Sequence, residues 1–245
     1  GLRLRGGRWN IPGKPIAILV DFSQFIAKKN EIFTTLWEKF KLDSLTGQWD
    51  FIEAALFGYA AGKVIESFVN FNLQPHHRVV AHFHEWMTGA GILYLKSAGA
   101  HVGTIFTTHA TVVGRCLACN NVPLYETLNN CNADEKARYY NVMAKHSLER
   151  CAAVNADVFT TVSDITATEC ERLLGKKVDL ITPNGFDNSL LPSKDKKEEA
   201  VAEGRSALLG LASAMCGEDC SDAFIMGISG RYEYKNKGID AYLDV

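Results

Sequence analysis

A chain of 245 residues with 47% hydrophobic and 10% aromatic content has enough apolar material for a substantial core, which excludes a disordered protein. Its 26 basic and 28 acidic residues leave a formal net charge of -2, so there is no overall field to draw in nucleic acid or an anionic membrane. No apolar run approaches the roughly 20 residues of a membrane-spanning helix, and the opening Gly-Leu-Arg-Leu-Arg lacks the apolar block of a signal peptide, so the expectation is a cytoplasmic protein.

In chain order, residues 16–20 (Ile-Ala-Ile-Leu-Val) predict a first buried strand, and residues 49–72 carry apolar side chains at the three-to-four spacing of a helix. Residues 78–84 predict a strand, 86–96 a helix, 102–107 a strand, 135–154 a helix and 157–162 a strand. Ser163 is placed to cap a helix over residues 165–174, and residues 178–182 predict a fifth strand. Short, near-continuously apolar strands alternating with helices are the mark of a parallel sheet with crossovers, so the fold class is α/β and Rossmann-like.

After Pro183-Asn184-Gly185 the texture changes to a charged, solvated stretch over 193–199 and an Ala/Leu-rich helical pattern ending at Met215. Residues 223–228 (Ala-Phe-Ile-Met-Gly-Ile) then predict another buried strand, with a helix starting near Gly238. The division expected is residues 1–185 as an N-terminal domain, 186–221 as a linker with a connecting helix, and 222–245 as the start of a second domain. A helix of a few residues has nothing to pack against, so the expectation is a chain that continues beyond Val245.

Seven cysteines, an odd number without regular spacing, suit reduced thiols rather than a disulfide framework. Cys116 and Cys119 form a C-x-x-C pair, but neither Cys131 nor the Cys216 and Cys220 pair completes a zinc spacing, so no metal is expected. No G-x-G-x-x-G follows any strand, and Gly58, Gly62 and Lys63 have the wrong spacing for a P-loop and lie inside a helical pattern. Dinucleotide-dependent oxidoreductase and P-loop readings both fall.

In open parallel sheets ligands bind beyond the carboxyl ends of the strands. Polar clusters stand there repeatedly: His84-Glu85-Trp86, Thr108-His109-Ala110, Ser163-Asp164, Pro183-Asn184-Gly185 and Gly230-Arg231. Each has an ordinary explanation. His82 and His84 share one face of a strand and suit hydrogen-bonded core histidines, Asn184-Gly185 suits a tight turn, and Arg115 or Arg231 suits a surface charge. Their coincidence at strand ends is what marks a site. Arg231 and Lys237 bracket a polar loop before a helix start, a pairing of cationic fork and point charge that suits a diphosphate.

Five runs, in this order and spacing, carry a family resemblance: His82-Phe83-His84-Glu85-Trp86; Phe106-Thr107-Thr108-His109-Ala110-Thr111 through Gly114-Arg115; Glu149-Arg150-Cys151-Ala152-Ala153 with residues 156–163; Pro183-Asn184-Gly185; and Gly230-Arg231 through Lys237-Gly238. Together with Gly7-Arg8-Trp9 they resemble the glycogen synthases of the fungal and animal type over nearly the whole chain. The resemblance implies one half of a two-domain GT-B glycosyltransferase, truncated at both ends. It implies transfer of glucose from UDP-glucose, a sugar nucleotide, to the nonreducing end of an α-1,4-glucan acceptor, with retention, no metal and no cofactor, in a homo-oligomeric full-length protein. By the same resemblance Arg231 and Lys237 hold the donor diphosphate, His109 lies beside the transferred sugar, Arg115 and Asn184 stand near the donor phosphate and sugar, and Glu85 is on the acceptor side. The family's glycine-rich donor loop would precede this chain, and its paired glutamates would follow Val245.

Two alternatives stay open. One keeps the fold and changes the donor to ADP-glucose or another sugar nucleotide. The other is a non-catalytic glycan-binding module whose Trp86 and Tyr125 stack on sugars.

Overall fold

The computed structural model describes residues 2–74 and 76–245 and divides the chain into two compact units, 1–183 and 184–245.

The first unit opens with an antiparallel hairpin of β1 (Arg3–Arg8) and β2 (Ile16–Asp21). This corrects the expectation of a buried parallel strand at 16–20: Ile16 and Leu19 are exposed, and β2 pairs only with its neighbour in sequence among the described residues. The turn explains it. Trp9 donates to the Pro15 carbonyl at 2.9 Å across Asn10-Ile11-Pro12-Gly13-Lys14, where Gly13 and Lys14 take positive φ (80° and 41°). Pro-Gly is turn chemistry, and an apolar run flanked by it suits a hairpin as well as a central strand.

Two helices follow, α1 (Lys29–Phe40) and α2 (Trp49–Asn72), the second with the bounds that its periodicity predicts. The central sheet comprises β3 (Val80–His84), β4 (Gly103–Thr108), β5 (Val158–Thr161) and β6 (Leu180–Ile181), all parallel and in sequence order. Its crossovers are α3 (Gly89–Ala98) between β3 and β4, then α4 (Val112–Cys119), α5 (Leu124–Thr127), α6 (Ala133–Tyr139) and α7 (Met143–Asn155) between β4 and β5, and α8 (Asp164–Leu174) before β6. The single helix predicted over 135–154 is two, because Asn141 takes a left-handed φ of 55° and Val142 turns its amide back to the Ala137 carbonyl. Ser163 caps α8 as its position suggests, accepting from the Thr166 amide at 3.2 Å.

Phe83, Phe106 and Phe159, one from each of β3, β4 and β5, pack with Ile92, Leu95, Ala152 and Leu174 of the flanking helices in one apolar cluster. A second cluster joins α1, α2, α3 and α7 through Leu36, Phe51, Leu56, Leu93 and Leu148. The parallel four-stranded sheet with helical crossovers makes the fold α/β and Rossmann-like, as the alternation of elements in the sequence predicts.

The second unit holds α9 (Lys197–Cys216) and the short α10 (Ile239–Leu243). The strand expected over 223–228 does not form. Within this unit there is no strand for it to pair with, and side chains take two of its carbonyls instead: Arg205 donates to Ala223 at 3.0 Å and Tyr242 to Met226 at 3.1 Å. Among the described residues no disulfide forms, no three-ligand metal cluster exists and no helix is long and apolar enough to cross a membrane.

Candidate active site

Parallel pairing sets His84 opposite Thr107 and Thr108 opposite Thr161, so the chain leaves β3, β4, β5 and β6 along one edge of the sheet. The polar residues that follow β3 and β4 meet along that edge.

Glu85 is the first. Its backbone amide donates to the Thr107 carbonyl at 2.8 Å, its carbonyl accepts the Thr88 amide at 3.1 Å, and it sits at φ 65° and ψ 159°, a conformation rare for any residue but glycine. That backbone turns the carboxylate across the sheet edge, where Oε1 accepts the His109 amide at 3.0 Å and lies 3.5 Å from the Arg115 guanidinium. The carboxylate is mostly covered while Arg115 is half exposed, so the cation has room to face a ligand.

His109 begins the turn between β4 and α4. Its Nε2 lies 3.3 Å from Nδ1 of His84, so one ring donates to the other. Burial, together with the neighbouring His82 and His109, holds the His84 imidazole below its ordinary pKa, which favours a neutral ring at neutral pH. His82 is an exposed residue rather than the core histidine that strand position suggests, though it is hydrogen-bonded as expected: its Nε2 meets the Thr107 hydroxyl at 2.7 Å, which in turn meets the Thr160 hydroxyl at 2.5 Å.

The turn itself is held from below. Fully buried Glu149 of α7 accepts the Thr108 hydroxyl at 2.8 Å and the Val112 amide at 2.9 Å. Buried Glu169 of α8 accepts both the amide and the hydroxyl of Thr111, the amide at 3.0 Å. Burial pushes the Glu149 carboxyl up to about 8, and raises that of Glu169 as well.

Of the six site residues that the sequence suggests, the first unit therefore brings three together: Glu85, His109 and Arg115. Asn184, Arg231 and Lys237 belong to the second unit. There Asn184 is exposed, Arg231 is exposed and paired with Glu233 at 2.7 Å, and the Lys237 stem closes over Gly230, where an added Cβ would lie 3.5 Å from its Cγ. Arg231 and Lys237 thus stand on one short loop between Gly230 and Gly238. Sequence reasoning did not assign His84, Glu149 or Glu169. Strand alternation gave the face of His84, but its approach to His109 depends on a register between two strands, and the two glutamates lie mid-helix, where Glu is ordinarily a solvated surface residue.

A family model described as glycogen synthase matches residues 1–245. This chain belongs to the glycogen synthase family. It is 35% identical to glycogen [starch] synthase isoform 2 of Saccharomyces cerevisiae, covering 100% of this chain and 35% of that protein. It is 32% identical to glycogen [starch] synthase of Dictyostelium discoideum, with 100% and 28% covered, and 31% identical to that of Caenorhabditis elegans, with 100% and 37% covered. The chain thus spans about a third of the length of the curated glycogen synthases it matches.

Of the two aromatics that the glycan-module alternative names, Tyr125 is exposed and Trp86 is packed. The Trp86 ring stacks on Phe51 at 6.3 Å on one side and receives the Lys145 ammonium at 5.5 Å, so it packs within the second core cluster rather than offering a face to sugar.

Proposed function

We propose that this chain contributes to a retaining glucosyltransferase that moves glucose from UDP-glucose to the nonreducing end of an α-1,4-glucan. The observation that carries the reading is the convergence of Glu85, His109 and Arg115 at the carboxyl ends of β3 and β4, in a chain of the glycogen synthase family.

In the reaction the bond from the glucose anomeric carbon to the donor diphosphate breaks and a bond to the acceptor 4-hydroxyl oxygen forms. The hydroxyl proton leaves with the diphosphate. Negative charge grows on the departing group, so fixed cations that meet it lower the barrier more than they strengthen ground-state binding. Arg231 and Lys237 are assigned that role, with Arg115 and Asn184 near the donor phosphate and sugar. His109 stands beside the transferred glucose. Glu85, already holding the His109 amide, has a second oxygen to accept an acceptor hydroxyl. The work falls on positioning and charge, with no metal required and a cytoplasmic, homo-oligomeric protein as the setting.

The test is transfer of radiolabelled glucose to glycogen by the full-length protein. His109→Ala and Arg231→Ala should each lower kcat/KM by about 100-fold or more, the size of losing an electrostatic contact made mainly in the transition state. Unchanged rates in both would sink the assignment. Competition between UDP-glucose and ADP-glucose decides the donor, and a rate insensitive to EDTA is expected.

A further inference from the structure

The turn from β4 into α4 carries His109 and leads to Arg115, and it is gripped at both ends by carboxyl groups from two other helices. Glu149 takes the Thr108 hydroxyl on one side of His109 and the Val112 amide on the other, while Glu169 takes the amide and hydroxyl of Thr111 between them. The Thr111 hydroxyl in turn accepts the Gly114 amide at 3.0 Å, capping α4. Neither glutamate forms an ion pair among the described residues.

Burying a carboxyl costs free energy that an apolar side chain of equal size would not, and here that cost is offset by hydrogen bonds made to the turn itself, the Thr111 and Val112 amides among them. Gly114 shows how closely the space is reserved: a Cβ there would stand 2.1 Å from Glu169 Oε1 and 2.6 Å from the Thr111 hydroxyl.

We infer that Glu149 and Glu169 are positioning residues of the transferase site, which fix the 108–112 turn so that His109 and Arg115 both address Glu85. This inference rests on the functional reading above. Neither glutamate touches a reacting atom; each acts through the backbone of the turn. Displacing a reacting group by about 1 Å costs on the order of 100-fold in rate, so the grip is felt in kcat.

The experiment uses the full-length protein, measuring kcat and KM for UDP-glucose together with amide hydrogen exchange of the peptide covering residues 106–118. Glu149→Gln keeps an oxygen to accept the Val112 amide and turns the Thr108 contact round, its NH2 donating to the hydroxyl, so the turn stays held and kcat should stay within about threefold. Glu149→Met fills the same space without either contact. It should lower kcat by roughly 30- to 100-fold, leave KM for the donor within about threefold, and speed exchange at 111–114 while the rest of the protein exchanges as before. Wild-type kcat and exchange in folded Glu149→Met, or equal losses in the Gln and Met variants, would overturn the inference. If Glu149→Met does not fold, Thr111→Val carries the test: it keeps the side-chain shape, removes the hydroxyl that Glu169 holds, and should cost at least about tenfold in kcat, with a wild-type rate counting against the proposal. Full activity in His109→Ala would instead overturn the functional reading, and the exchange data alone would still decide whether the glutamates hold the turn.

Discussion

Glu85 keeps a backbone conformation that costs on the order of 1–3 kcal/mol for a residue with a Cβ. Glycine at this position relieves that cost and removes the carboxylate that meets His109 and Arg115. Glu85→Gly in the full-length protein should therefore raise the melting temperature by a few degrees and lower glucose transfer by about 100-fold; a variant that is both less stable and fully active would contradict the account. The strand end at His84-Glu85 was legible from the apolar run before it, whereas the positive φ was not, because nothing local in a glutamate favours it. The same holds for Glu149, whose helical position reads as surface. Its carboxyl has an ordinary value of 4.5 and burial pushes it up to about 8, so the folded chain holds a proton that the unfolded chain has lost between those values. The folded state binds more protons across that window, so stability falls as pH rises from about 4.5 to about 8, with Glu169 acting in the same direction. Glu149→Gln removes the titrating group. Its melting temperature relative to wild type should climb steadily between pH 5 and pH 8.5, and a flat difference would show that Glu149 does not hold the proton.

Helix seams are set by small residues that carry no chemistry of their own. Gly58 and Gly62 on α2 face Gly91 on α3, and this close approach is the use to which the Gly58-x-x-x-Gly62 spacing is put. A Cβ on Gly91 would lie 2.4 Å from Phe83 Cε1 and 2.7 Å from the Gly58 carbonyl, and one on Gly62 would lie 2.7 Å from the Gly91 carbonyl. Backbone cannot move aside cheaply, so Gly91→Ala should cost about 1–3 kcal/mol in thermal or urea unfolding. Phe83 belongs to β3, one residue before His84, so the same substitution should also lower transfer activity; stability unchanged within error would refute the seam. Periodicity located α2 and α8 well because each buries one face over many residues. It failed where one residue's backbone decides the outcome: at Asn141, which splits α6 from α7, and at Pro12-Gly13, which turns the run at 16–20 into a hairpin. At 223–228 it failed for a different reason, since an apolar run needs a neighbouring strand before it becomes one.

Across the whole chain, burial is divided unequally between the two units. Every buried side chain among the described residues lies before residue 184, and none lies in 184–245. The α/β class was legible because it follows from the first unit's strands and helices, each of which buries an apolar face. Of the candidate site, Glu85, His109 and Arg115 were legible as polar residues just beyond strands, whereas Arg231, Lys237 and Asn184 stand in a segment whose local fold is set by turns and side-chain contacts rather than by core packing. The helix α9 shows the consequence. Leu208, Leu211 and Met215 are all more than half exposed, so the helix gains little from burying an apolar face, the main source of helix stability in a folded protein. Phe106 and Phe159, by contrast, are fully buried and stacked 5.8 Å apart between β4 and β5. Opening free energy follows that contrast. In hydrogen exchange on this chain, amides of 197–216 should exchange by local fraying orders of magnitude faster than those of Ile105, Phe106 and Phe159, which wait for global unfolding. Trypsin should make its first cuts at Lys194, Lys196 and Lys197, in the exposed stretch that begins α9, and leave the 80–174 region intact. Protection of α9 equal to that of the sheet, or first cleavage inside α7 or α8, would mean that the second unit is held by contacts beyond those its own residues make.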